Sequence, residues 1–304
     1  MCLIVVDWRP LNRPHSNSTE ANQEESTSIH HNPGEPSTRL ILASNRDEFL
    51  IRPSEPAHFW NDHIYAGKDL EKGGTWLACS KNRRLAAVTN YHDRHDRDKS
   101  YPKSRGEIPI LFCESAVSSI DFARELLEPR QDDYGGFSAL LMDGTTLVYC
   151  SNRNGNNAFA SVLPPGLYGL SNHLLDTPWP KVQKAKGILS NVTKQWSISN
   201  NNTSKATSTH QTYAKYLLQE FGETNATNSD MPATALQDMA YVEEQLRSAI
   251  FVRIPTYGTR TTTIVTFDSE HGFDVSEQNH KTPHTDPSFS YQHVACYNNQ
   301  SSNR

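Results

Sequence analysis

Apolar and polar positions along this chain follow the period of strands more often than that of helices. Residues 1–8 and 40–48 each hold a short apolar run rich in β-branched or aliphatic side chains, and the second ends in a dense polar cluster. Residues 74–80 and 84–91 read as a hairpin turning at Lys81-Asn82-Arg83. Residues 137–142 and 146–151 meet across Asp143-Gly144, a dipeptide suited to the positive φ of a tight hairpin turn. Residues 167–172, 249–255 and 261–267 supply further strands. Helical spacing is confined to residues 107–114, 118–127, 179–194 and 212–221, with Pro178 and Pro180 suited to the opening of the third. Strands joined by hairpins, with helices in separate blocks, predict an α+β fold of antiparallel layers rather than a doubly wound parallel sheet.

Between these segments lie stretches that cannot build a core. Residues 12–38 carry one apolar side chain of any size, Ile29, and residues 197–209 and 223–234 are rich in Ser, Asn and Thr. Burial there is too small to offset the entropy of ordering. The tail is polar too, with one expected strand at 289–297. These stretches explain why only 36% of the 304 residues are hydrophobic, against roughly 45–50% in ordinary domains with glycine counted. The expected organisation is one domain over residues 1–280, with disordered insertions at 12–38 and 197–209, and a polar tail at 281–304.

Charge and cysteine usage narrow the function. A net charge of −5 and a pI near 6.2 argue against a nucleic-acid partner or an anionic membrane surface. No window approaches the ~18 apolar residues of a transmembrane segment. The opening MCLIVVDWRP lacks the basic and small-residue features of a signal peptide. A soluble cytoplasmic protein is therefore expected. Five widely spaced cysteines without a CxxC pair indicate neither a disulfide framework nor a zinc site. The run His92-Asp93-Arg94-His95-Asp96-Arg97 reads as a solvated loop, so no metal is expected. Gly73-Gly74-Thr75-Trp76 lacks the lysine of a phosphate loop and opens a strand, which suits a tight turn with Trp76 walling a pocket.

Cys2 carries the most chemistry. Behind a removable Met1 it would combine a thiol nucleophile with a free α-amine of pKa about 7.7–8.0, a base poised near neutral pH. Taken alone, position 2 fits a small buried hydrophobe at the start of a strand more readily. The cluster Ser44-Asn45-Arg46-Asp47-Glu48 adds a partner. If the first two strands form a hairpin with a long inserted loop, this end lies beside Cys2, and Asp47 could hold the amine. Alternation puts Asn45 and Asp47 on one face, and Ser44, Arg46 and Glu48 on the other.

Asn45-Arg46-Asp47-Glu48, followed by Phe49, resembles the motif that names the NRDE family, which includes transport and Golgi organisation proteins. The likeness extends through MCLIVV, LILASNRDEFLIRPSEPAHFW, GGTWLACSKNRRLAAVTNYHD, SRGEIPILF, LPPGLYGLSNHLLDTPWPKV and PTYGTRTTTIVTF, and residues 12–38 and 197–209 look like insertions. That family is in turn similar to the N-terminal-nucleophile hydrolases, chiefly the choloylglycine and penicillin V amidase branch, which implies a four-layer αββα sandwich. By this likeness Cys2 matches the nucleophile and Asp47 the acid that orients its amine. Asn90 matches an oxyanion-hole asparagine, Asn172 a second asparagine near the nucleophile, and Arg260 a late arginine near the site. Asn45, Arg46, Trp76 and Tyr91 are the neighbouring positions expected to bind ligand. Ser44 departs from the pattern, since the amidases carry arginine there. Arg46 should point to the opposite face from Asp47, where an internal ion pair would suit it.

Two function classes follow. The resemblance implies Golgi organisation, protein secretion and the handling of a hydrophobic small molecule such as haem or acyl-CoA, in the cytoplasm and around the Golgi or mitochondria. Haem would then be cargo, and no resident cofactor is expected. The alternative is a hydrolase of amide or thioester bonds with Cys2 as nucleophile. Both place the site around Cys2.

Overall fold

The two runs nearest the N-terminus become neighbouring strands. β1 (Leu3–Arg9) and β2 (Arg39–Phe49) pair antiparallel, with Leu3 opposite Asn45 and Trp8 opposite Leu40. The computed structural model describes residues 2–10, 39–92, 99–128, 131–154, 157–199, 206–222, 248–280, 282 and 286–297. The stretches expected to be inserted at 12–38 and polar at 223–234 lie outside the described residues.

After β2 the chain builds a second sheet whose strands pair in sequence order. Its strands are β3 (Ser54–Phe59), β4 (Ile64–Asp69), β5 (Leu77–Ser80), β6 (Arg84–Asn90), β7 (Phe137–Met142), β8 (Leu147–Asn154) and β9 (Asn157–Val162). It then returns to the first sheet with β10 (Gly166–Leu170), β11 (Arg253–Ile254), β12 (Tyr257–Asp268), β13 (Gly272–Asn279) and β14 (Ser288–Val294). The order there is β10-β1-β2-β12-β13-β14, with β11 against β12. Helices α1 (Ile108–Glu114) and α2 (Ser119–Leu127) follow β6, and α3 (Pro180–Ser199) and α4 (Ala206–Phe221) follow β10.

Side-chain alternation assigns the layers. Ile4, Val6 and Trp8 of β1 meet Leu40, Leu42, Leu77, Leu85 and Leu140 between the two sheets. Leu3 and Val5 turn outward to Val182, Ala185 and Leu189 of α3 and Leu217 of α4. On the far side, Ala86, Val88 and Leu141 pack on Ile108, Phe112, Ala123 and Leu126. The result is a four-layer αββα sandwich of antiparallel sheets, the layer order implied by the N-terminal-nucleophile likeness. Strands covered on both faces read as continuous apolar runs, which is why β1, β2 and β7 stand out in the sequence.

Several boundaries differ from those read along the chain. β3 and β13 were not expected, because Ser54-Glu55-Pro56-Ala57-His58-Phe59 is an edge strand and β13 buries polar Ser276 and Glu277. Glu277 is satisfied by the Ala57 N–H at 2.8 Å and by Asn279 and Thr263. β4 and β9 were also not expected. β10 stops at Leu170, and only Arg253–Ile254 of the expected 249–255 pairs as a strand. Residues 197–199 and 206–209 belong to the ends of α3 and α4, and residues 200–205 of the expected insertion lie outside the described residues. The tail strand pairs with β13. Among the described residues no helix is long and apolar enough to cross a membrane.

Gly187 lies inside α3, and an added Cβ there would meet nothing within 4 Å. Gly187→Ala is expected to raise stability by about 0.5–1 kcal/mol, through helix propensity and a less flexible unfolded chain. A thermal melt that drops would contradict this.

Candidate functional site

The edge of β1 places Cys2 at an open end of the sandwich. Its carbonyl accepts from Ser171 Oγ at 2.6 Å, and its Sγ lies 3.9 Å from the Asp47 carbonyl oxygen. The strand order β10-β1-β2 therefore brackets Cys2 between the segment after β10 and the end of β2. Asn172 follows Ser171 with φ of +51°, in the left-handed region that asparagine tolerates better than most residues. Its Nδ2 donates to the Asn90 carbonyl at 2.9 Å, and its carbonyl accepts from the His92 N–H at 2.9 Å. Tyr91 stacks on His173 and meets its Nε2 at 3.1 Å. Residues from β1, β6 and the turn after β10 are thus tied together by backbone-directed bonds.

Asp47 is buried at the end of β2. Its carboxylate accepts from Thr259 Oγ1 at 2.7 Å, and its carbonyl accepts from Tyr257 OH at 2.9 Å. Burial pushes this carboxyl above its ordinary value, while the Lys181 charge and the Thr259 bond pull it down. Burial likewise raises the Cys2 thiol. Lys181, in the first turn of α3, is fully buried, and burial pulls its amine below the ordinary lysine value against the attraction of Asp47 and then Cys2. It was not singled out from the sequence. The signal was available, because Lys181 shares the helical stripe of Ala185, Leu189 and Val192, all buried. A lysine on an apolar stripe demands a partner.

Arg46 points to the face opposite Asp47, as alternation requires. Its Nη2 donates to Asp69 Oδ2 at 2.9 Å and its guanidinium lies 4.4 Å from the Trp76 ring centre. The ion-pair partner is Asp69, which Arg52 also grips at 2.6 and 3.1 Å. Burial raises the Asp69 carboxyl, but the Arg52 bond, the Lys72 N–H and both arginine charges hold it below the ordinary carboxylate value. Glu48 lies 3.7 Å from Arg52 instead.

These residues border one cleft of about 810 Å³. Cys2, Asp47, Asn90 and Asn172 line it together, as do Arg46, Trp76 and Tyr91. Two expected residues lie elsewhere. Asn45 is fully buried outside the cleft lining, donating to the Phe221 and Ile250 carbonyls at 2.9 Å each and accepting from Thr262 at 2.7 Å, so it locks β2 to the helical layer. Arg260 does not border the cleft either. Its guanidinium holds the carbonyls of Phe49 and Arg52 and the Ser54 hydroxyl, fixing the turn after β2. Residues 99–106 also line the cleft, and their Tyr101, Lys103 and Arg105 were not anticipated.

Among the described residues, Asp268, Glu270 and His271 form the one cluster spaced for a metal ion. Asp268 Oδ1 there accepts from the Glu270 and His271 N–H groups and faces His271 Nδ1, which makes it a capped turn.

The family model described as Transport and Golgi organisation 2 matches residues 27–282. The chain belongs to this family. A "Transport and Golgi organization 2 homolog" of Mus musculus is 34% identical over 254 residues, covering 79% of this chain and 86% of that one. The Homo sapiens "Transport and Golgi organization protein 2 homolog" is 34% identical over 252 residues, with the same coverage. In Drosophila melanogaster, "Transport and Golgi organization protein 2" is 27% identical over 269 residues, 81% of this chain and 88% of that one. Among solved structures, a C2A mutant of conjugated bile acid hydrolase from Clostridium perfringens aligns at 7% identity. It covers 84% of this chain and 88% of that one, with a TM-score of 0.37.

Proposed function

We propose that the protein binds a hydrophobic metabolite, of the haem or acyl-CoA class, in the Cys2 cleft. This would be its part in the transport and Golgi organisation for which its relatives are named, acting in the cytoplasm at the Golgi or mitochondria. The observation that carries the reading is the cleft. At about 810 Å³ it falls within the 300–1,000 Å³ range typical of small-molecule sites, and its wall combines Trp76, Tyr91, Tyr101 and Tyr257 with placed charges. Two features weigh against turnover as the main role. Burial raises the Cys2 thiol and so disfavours the thiolate, and Ser44 stands where the amidases carry arginine.

Purified protein is expected to bind haem or palmitoyl-CoA saturably with no product formed, and Cys2→Ser should change affinity by less than about twofold. Absence of saturable binding by either compound would overturn the reading.

The gathering of Cys2, Asp47, Asn90 and Asn172 in one cleft favours a second reading, cysteine hydrolysis. The free α-amine would take the thiol proton as sulfur attacks an amide or thioester carbonyl, and the Asn90 amide would stabilise the oxyanion. Collapse would expel the amine or thiol leaving group, protonated by the α-ammonium, and water would hydrolyse the acyl-enzyme to restore the thiol. This route needs Met1 removed. An intact mass that retains Met1 would exclude it, whereas turnover abolished by Cys2→Ser would install it in place of the first reading.

A further inference from the structure

Two buried polar atoms beside Cys2 have no hydrogen-bond partner among the described residues, Arg46 Nη1 and Asn172 Oδ1. Arg46 and Asn172 are only 4% and 5% exposed, and both border the cleft. They flank Cys2 from β2 and from the turn after β10. Arg46 lies on β2 one residue beyond Asn45, the partner of Leu3, and Asn172 follows the Ser171 that holds the Cys2 carbonyl. A donor and an acceptor that have lost their water without gaining a protein partner call for one from outside.

Arg46 is also held rigid. Stacking on Trp76 and the bond from Nη2 to Asp69 fix the plane of the guanidinium, so Nη1 cannot swing to another acceptor. Asp69 has no acceptor capacity left for Nη1, because Oδ2 takes Arg46 Nη2 and Arg52 Nε while Oδ1 takes Arg52 Nη2 and the Glu71 and Lys72 N–H groups. The wider wall has the matching sign. Arg46, Arg52, Lys72, Lys99, Lys103 and Arg105 border the cleft against only Asp47, Glu48 and Asp69, an excess of positive charge that favours an anionic occupant.

We propose that Arg46 is the specificity-determining residue of the cleft, donating from Nη1 to an anionic oxygen, carboxylate or phosphate, on the ligand's head. The inference rests on the ligand-binding reading above and adds the chemistry of the head to it. Apolar material in the ligand is left to the aromatic wall.

Equilibrium binding of dodecanoate, dodecyl phosphate and dodecanol tests it, since the three share one chain and differ in the head. The wild-type protein should bind at least one anion about tenfold more tightly than the alcohol, and which anion wins identifies the head. Arg46→Lys keeps a positive charge facing Asp69 but removes the guanidinium fork. It should reduce that preference, the ratio of anion to alcohol affinity, to less than about threefold. Equal binding of all three by the wild type would overturn the inference while leaving the ligand-binding reading standing, and this comparison needs no variant to fold. A full anion preference retained by folded Arg46→Lys would also overturn it. Binding of none of the three would overturn both.

Discussion

Lys181→Met is expected to lower the unfolding free energy by about 3–5 kcal/mol, the cost of leaving a buried charge without its opposite. Lys181 is 0% exposed and Asp47 4% exposed, and each acts on the other's ionisation. Methionine matches the length of the lysine stem, so the packing of α3 on β1 survives and the loss reports on charge. The double variant Asp47→Asn/Lys181→Met should recover most of that loss, because a neutral pair no longer strands a carboxylate. Chemical denaturation of the four proteins in the cycle measures the coupling.

The pH dependence carries a separate sign. Asp47 is raised above 3.8 in the folded chain, so the native state holds its proton more tightly than the unfolded one. The stability this provides is complete below about pH 3.8 and is lost as pH rises through the folded value. Lys181 is lowered from 10.5. Between that lowered value and 10.5 the unfolded chain binds more protons, so stability climbs with pH across the alkaline window. Lys181→Met should abolish the alkaline climb. A Lys181→Met protein as stable as wild type, with the same alkaline profile, would show that the two charges are not coupled.

The positions of β1, β2, β7 and β8 could be read along the chain because both faces of these strands are buried, and a double-sided strand leaves an apolar run in the sequence. The hairpin of β1 and β2 closes although residues 10–38 intervene. This accords with the slow logarithmic growth of closure cost with loop length. β13 was invisible for the opposite reason, since its buried Ser276 meets His210 of α4 and its buried Glu277 is satisfied from β3 and β12, partners that no local pattern reveals. The site divides in the same way. Cys2 and Asp47 could be brought together from the hairpin alone, whereas Asn90 and Asn172 were placed only through the family likeness. The separation of Asn45 from Asp47 was beyond alternation. The two share a face, yet Asn45 sits two residues deeper under α4 while Asp47 reaches the cleft at the strand's end. Lys181 could have been found from helical spacing, but its partner could not.

Gly74→Ala is expected to cost about 3 kcal/mol, the upper end of what overpacking a close contact costs, and to weaken ligand binding by about tenfold. A Cβ on Gly74 would lie 2.5 Å from the Gly106 carbonyl carbon and 2.6 Å from its oxygen. Those atoms are backbone and cannot swing aside as a side chain would. The same oxygen accepts the Thr75 N–H at 2.8 Å, so the methyl also strains the bond that seats the two segments. Gly106 is held from behind, its N–H on Ser104 Oγ at 3.3 Å and Arg105 anchored to the Gly136 carbonyl at 3.0 Å. The strain must therefore move residues 99–106, which line the same cleft as Cys2 and carry Tyr101, Lys103 and Arg105. Gly187→Ala is the matched control, the same added methyl with the opposite expected sign. Melting curves and haem or palmitoyl-CoA titrations on both variants separate the outcomes. If Gly74→Ala kept wild-type stability and affinity, the approach of Gly74 to Gly106 would not be what holds residues 99–106 in the cleft lining.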